Sequence, residues 1–121
     1  MPDILDVRES TTPWPPIPHD AAVSGPINVR QVLDAVSLET GVSVADVLSP
    51  RRGQEFWIAR NLTAYLCREL LTHLSLPAIG RQMGDRDHTT VLHNWRRWRR
   101  RRMRADMRRL ENAVLARLGI D

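Results

Sequence analysis

Residues 84–102 read GDRDHTTVLHNWRRWRRRR, and their types narrow the chemistry at once. Asp87, His88 and His93 place an acid and two imidazoles within seven residues, a set that proton transfer or metal-assisted hydrolysis can use. A nuclease reading fails because no metal-ligand spacing is present. The same residues suit the edges of bases. A carboxylate accepts from the exocyclic amine of cytosine, a threonine methyl packs on the thymine methyl, and histidine or threonine hydroxyl serves bases or phosphates. At the start of a helix they also share its partial positive charge and unpaired N–H groups. The blander alternative makes Asp87 a helix cap and His88 an ordinary surface residue. Six arginines in the next stretch tip the balance: the helix is expected to enter a DNA groove end-first.

On a wheel of residues 87–104, Val91, Leu92, Trp95 and Trp98 fall on one stripe, the expected buried face. Thr89, Thr90, His93, Arg97, Arg100 and Arg104 lie opposite. Beyond Trp98 the stripe meets Arg99 and Arg102, which predicts that the helix leaves the core there. Arg97 and Arg100 share the face of Thr89 and His93 and are candidates for phosphate contact. Arg99 and Arg102 have no assignment; Glu111, Asp106 or another chain are the pairing choices. Trp57, Trp95 and Trp98 could stack on single-stranded bases, but the last two sit where core residues belong. Tyr65 and Cys67, mid-helix, read as core.

Stepping along the chain, Asn28 can cap a helix through Glu39 that Gly41 ends, with Val29, Val32, Leu33 and Val36 on one face. Ser43-Val44-Ala45-Asp46 has the pattern of a capping box and opens a short helix closed by Ser49-Pro50. After the basic loop Arg51-Arg52-Gly53-Gln54, a long helix is expected from Glu55 to His73 on a spine of Ala59, Leu62, Leu66 and Leu70. Ser75-Leu76-Pro77 starts another short helix, with proline in the first turn where its missing N–H costs nothing. Gly84 ends it, and a tight turn leads into the helix beginning near Asp87: a helix-turn-helix. A last helix, Asp106 to Leu118, shows Met107, Leu110, Val114 and Leu118 on one side. The fold class is all-α, a small helical domain over residues 26–121 preceded by a flexible, acidic, proline-rich tail over residues 1–25. Trp14 in TPWPPIP is either a docking motif for a protein partner or part of a solvated leader.

Charge is segregated. Residues 1–50 carry two arginines against seven acids, whereas residues 51–121 carry sixteen against seven. Every one of the eighteen basic residues is arginine, the side chain better suited to phosphate and guanine edges. A chain without lysine cannot contain a G-x-x-x-x-G-K-[ST] phosphate loop. One cysteine excludes an internal disulfide, and neither a secretory leader nor a membrane-length apolar run is visible. A cytoplasmic, nucleoid-associated protein without cofactor is expected.

The stretch R-D-H-T-T-V-L-H at 86–93 resembles the signature of the C-terminal DNA-binding domain (domain IV) of the bacterial replication initiator DnaA. The likeness continues through Ser75-Leu76-Pro77-x-Ile79-Gly80, Ala59-Arg60 to Leu70, and Leu48-Ser49-x-Arg51-Arg52, covering about residues 26–118. It implies a TrpR-like helix-turn-helix fold and binding to boxes related to TTATNCACA. Carried over by position, it implies base reading by Asp87, His88, Thr89 and Arg60, with Arg52 in the adjacent minor groove. Phosphate contacts fall on Arg51, Asn61, Arg68, Leu76, Pro77, Thr90 and His93, joined by Arg97 and Arg100. Departures from the pattern are Asn61 in place of glutamine, Gln54 and Ile58 in place of basic residues, Asp85 in place of the second glycine, and Ala78 in place of an acid. The ATPase and oligomerisation parts of DnaA have no counterpart here. The expectation is a non-enzymatic reader of boxes in double-stranded DNA, one monomer per box, regulating replication initiation or transcription. The alternative is a protein-recruiting adaptor with only loose nucleic-acid attachment.

Overall fold

The computed structural model describes residues 27–120, which form six helices and, among the described residues, no strand. The proline-rich tail and its Trp14 lie outside them. Helix α1, Val29–Thr40, is closed at its start by a reciprocal cap. Asn28 accepts from the Gln31 N–H at 2.8 Å, while Gln31 accepts from the Asn28 N–H at 2.9 Å. Gly41 ends it in the left-handed conformation, φ 77°. Helix α2, Val44–Leu48, uses half of its expected box: Ser43 accepts from the Asp46 N–H, and the Asp46 carboxylate takes Arg51 at 3.2 Å.

Helix α3, Gln54–Leu70, stops three residues short of the expected His73. The chain turns there to bury Leu71, leaving Leu70 half-buried, so the spine closes on Leu71 and not on Leu70. Helix α4 spans Leu76–Gln82 behind its Ser75 cap, α5 spans His88–Arg101, and α6 spans Ala105–Arg117. α3 lies at the centre, packed against α1, α2, α4 and α5, and α6 closes over α1. Val29, Val32, Val36, Ala59, Leu62, Leu66, Ile79, Val91, Trp98 and Val114 form one continuous core. Cys67 belongs to it too, and burial pushes its thiol up to about 12, the behaviour of a packing residue.

The end of α5 differs from the wheel's forecast. The helix does not leave the core after Trp98, because Glu111 on α6, 3% exposed, waits beneath it. Glu111 accepts from the Trp98 indole N–H at 2.8 Å and from two Arg102 nitrogens, each at 2.8 Å. Arg102 is therefore a structural residue paired with Glu111. Trp95, expected in the core, is half-buried. Its indole N–H donates to Glu69 at 3.0 Å, and the Arg68 and Arg99 guanidiniums lie 3.9 and 4.9 Å from its ring centre.

The turn between α4 and α5 is tight because two small backbones approach each other. The Arg86 N–H donates to the Gly80 carbonyl at 2.8 Å, and a Cβ on Gly80 would sit 2.1 Å from the Arg86 carbonyl oxygen. Gly84 and Asp85 then take left-handed φ values of 81° and 58°. At Gly84 a Cβ would lie 2.2 Å from the Leu48 carbonyl oxygen, so only glycine fits.

Candidate nucleic-acid interface

Asp87 caps α5. Its Oδ2 accepts from the Thr89 N–H at 2.9 Å and from the Thr89 hydroxyl. The Thr89 hydroxyl, then its N–H, hold the Asp87 carboxyl below the usual carboxylate range, so it stays ionised and accepts only. Its other oxygen lies 3.7 Å from Nδ1 of His88. The capping role and an outward role are thus compatible: one oxygen orders the first turn and the other remains exposed. His88, Thr89 and Thr90 are all exposed, while Val91 directly behind them is fully buried. With its hydroxyl turned to Asp87, Thr89 retains its methyl as the group for an outside contact.

Beside this turn lies a hollow of about 340 Å³ bordered by Pro77, Arg81, Asp85, Arg86, Asp87 and His88. At the start of α4, Ser75 Oγ takes the Ala78 N–H and the Ser75 carbonyl takes that of Ile79. Pro77 has no N–H, so Leu76 supplies the donor that remains at this end. A second hollow, about 320 Å³, lies between α3 and α5 and is lined by Trp57, Asn61, Thr90, His93, Asn94 and Arg97. Trp57, 43% exposed, forms part of its wall.

Arg52, Arg97 and Arg100 are exposed. Arg51 is exposed but leans on Phe56, 4.9 Å from the ring centre, and pairs with Asp46. Arg68 is half-buried on the face of Trp95, with its Nη1 enclosed and without a hydrogen-bond acceptor.

Comparison with known proteins then decides the family. The family described as the bacterial dnaA protein helix-turn-helix matches residues 29–97. The chain belongs to the bacterial DnaA helix-turn-helix family. It is 41% identical over 71 residues to the chromosomal replication initiator protein DnaA of Ruegeria sp. (strain TM1040), a match covering 59% of this chain and 15% of that protein. It is 40% identical over 70 residues to the DnaA of Lacticaseibacillus casei (58% and 15%), and 41% identical over 68 residues to that of Cutibacterium acnes (56% and 13%). The chain thus spans about 15% of the length of these relatives. As a DnaA-type helix-turn-helix it is a DNA-binding domain, related to replication initiators.

Within the DnaA pattern, two residues expected to meet DNA are largely buried and bonded inside the domain. Arg60 is 6% exposed, and its guanidinium donates to the carbonyls of Val47 (2.8 Å), Asp46 (3.0 Å) and Ser49 (2.6 Å). These bonds, made by Nε and Nη2, make it a strut on the end of α2 and the residue that follows. Burial holds its pKa below the ordinary arginine value despite Asp46 nearby. Asn61 is 2% exposed with both ends of its amide engaged, donating to Asn94 Oδ1 at 2.8 Å and accepting from Arg101 Nε at 2.9 Å. One methylene shorter than glutamine, it stays inside the α3–α5 seam. Arg86, unassigned in the sequence beyond its place in the signature, is a second strut: it donates to Ser49 O at 2.6 Å and to the Met83 carbonyl. Both guanidiniums thus converge on the Ser49 carbonyl. No sequence pattern marked this, because the acceptors are main-chain carbonyls at the end of α2 and just beyond it, which only the fold brings to these side chains.

Proposed function

We propose that this domain binds DnaA-box-like sites in double-stranded DNA sequence-specifically, without nucleotide hydrolysis, and so regulates replication initiation or transcription. The observation that carries the reading is the first turn of α5: Asp87, His88, Thr89 and Thr90 stand exposed on a helix whose next residue is fully buried. A rigid, outward helix tip bearing one acceptor, one imidazole and one methyl is what major-groove readout needs. His88, Thr89 and Asp87 are assigned to bases and Arg52 to the adjoining minor groove. Thr90, His93, Arg97, Arg100, Arg51, Arg68 and the α4 start at Leu76 and Pro77 are assigned to phosphates. Nucleotide hydrolysis has no place among these residues, since a lysine-free sequence holds no P-loop. One monomer is assigned to each asymmetric box, and the proline-rich N-terminal segment with Trp14 is assigned to a protein partner.

Fluorescence anisotropy with a duplex related to TTATNCACA and a scrambled duplex, at physiological salt, tests this. A preference of roughly 10³-fold or more is the expected result. Equal affinity for the two duplexes refutes it and favours the adaptor with loose attachment.

A further inference from the structure

A guanidinium donates and never accepts. Because Arg101 Nε donates to Asn61 at 2.9 Å, the atom facing it must be the Asn61 oxygen. The Asn61 Nδ2 is then the atom that donates to Asn94 at 2.8 Å, so the Asn94 oxygen is the one turned inward. What Asn94 has left is its NH₂ group, with two N–H donors. Arg101 thus sets the direction of every hydrogen bond along the seam, and amide orientations that a lone asparagine leaves open are fixed here.

Asn94 lines the 320 Å³ hollow with Trp57, Thr90, His93 and Arg97. No carboxylate lines it. Its polar groups are a guanidinium, an amide NH₂, an indole N–H, a hydroxyl and an imidazole, a set rich in donors. We infer that this hollow seats one phosphodiester of a bound DNA strand, with Asn94 and Arg97 on the phosphate oxygens and Trp57 over the adjoining deoxyribose. Arg101 is a positioning residue that keeps the Asn94 donors outward through Asn61. The contact that the DnaA pattern gives to the residue at position 61 passes to position 94. The seat rests on the DNA-binding reading above but not on box preference, because a phosphodiester is common to every sequence.

The test uses the full chain with box and scrambled duplexes, and with box duplexes carrying one neutral methylphosphonate at each linkage in turn. The wild-type protein should show several penalised linkages, and at the one seated in the hollow neutralisation should weaken binding roughly tenfold, the size of a charge-assisted hydrogen bond. Asn94→Ala should weaken unmodified box and scrambled duplexes alike and reduce the penalty at one linkage alone, Arg97 retaining the remainder. Asn94→Asp keeps an oxygen for Asn61 but turns a carboxylate outward, so it should lose more than Asn94→Ala. Trp57→Ala should weaken both duplexes while Trp57→Phe retains most of the affinity. Arg101→Leu should reduce the penalty at the same linkage, and Arg101→Lys, which still only donates, should restore it. Thermal unfolding confirms that each variant is folded. An unchanged set of linkage penalties in Asn94→Ala overturns the seat, and an unchanged penalty in Arg101→Leu overturns the relay. Either result leaves box preference standing, and loss of box preference leaves an equal effect of Asn94→Ala on both duplexes as support for the seat.

Discussion

Replacing Glu111 with leucine removes the acceptor on which the end of α5 and the middle of α6 meet. The buried Trp98 indole N–H loses its 2.8 Å acceptor, which costs about 1–3 kcal/mol. Arg102 loses both of its bonds, but its side chain is 26% exposed and recovers some hydration. The total therefore falls near the lower end of the 3–5 kcal/mol typical of a broken buried pair, roughly 3 kcal/mol. For a domain of this size each kcal/mol moves Tm by about 4–8 °C, so a drop of roughly 12–24 °C is expected by circular dichroism. Acid titration supplies an independent check. Burial pushes the Glu111 carboxyl up, but the hydrogen bonds from Arg102 and Trp98 and the charges of Arg102 and Arg108 outweigh it and leave it below its ordinary value of 4.5. A depressed carboxyl stabilises the fold fully above that ordinary value and loses its contribution as pH falls through the lower, folded value. Glu111→Leu should flatten that part of the acid limb. A Tm within about 3 °C of wild type, or an acid limb identical to wild type, would falsify the triad as the clasp between α5 and α6.

Other outcomes follow from neighbouring sites. Arg60→Met should lower stability by about 1–3 kcal/mol, chiefly through the Val47 carbonyl, because the Ser49 carbonyl keeps Arg86 and the Asp46 carbonyl keeps the Ser49 hydroxyl; urea unfolding reads this, while the ratio of box to scrambled affinity per folded molecule stays constant, and a collapse of that ratio would restore Arg60 to the base readers. Asp85→Gly relieves a left-handed φ of 58°, and should raise stability by roughly 0.5–1 kcal/mol while tightening DNA binding, since it removes a negative charge beside His88. Arg97→Ala should weaken all duplexes alike and reduce the slope of log K against log salt by about 0.9. His88→Ala should relax base preference and leave that slope unchanged, as measured by anisotropy across a salt series.

The helices were readable because their signals are local. Asn28, Ser43, Ser75 and Asp87 cap where cap chemistry belongs, and Val91 and Trp98 fall inward at helical spacing. What was not readable depends on partners distant in sequence. Arg60 and Arg52 are the same residue type eight positions apart, yet one is buried and the other exposed, because only the folded end of α2 and the residue beyond it offer the carbonyls of residues 46, 47 and 49. Trp95 occupies an apolar wheel position, but Glu69 and two arginines give it a seat at the surface. Asn61 belongs to the position of a phosphate-binding glutamine and is retained inside by Asn94 and Arg101, residues 33 and 40 positions away.

The shared anchorage of Arg60 and Arg86 on one carbonyl oxygen has a mechanical consequence. The loop bearing Arg52 and the turn that launches α5 are pinned to the same atom, so the offset between Arg52 and the tip of α5 is set before any duplex arrives. Such a domain works as a fixed gauge. A double helix whose local twist does not fit that gauge must itself be wound or unwound to be held.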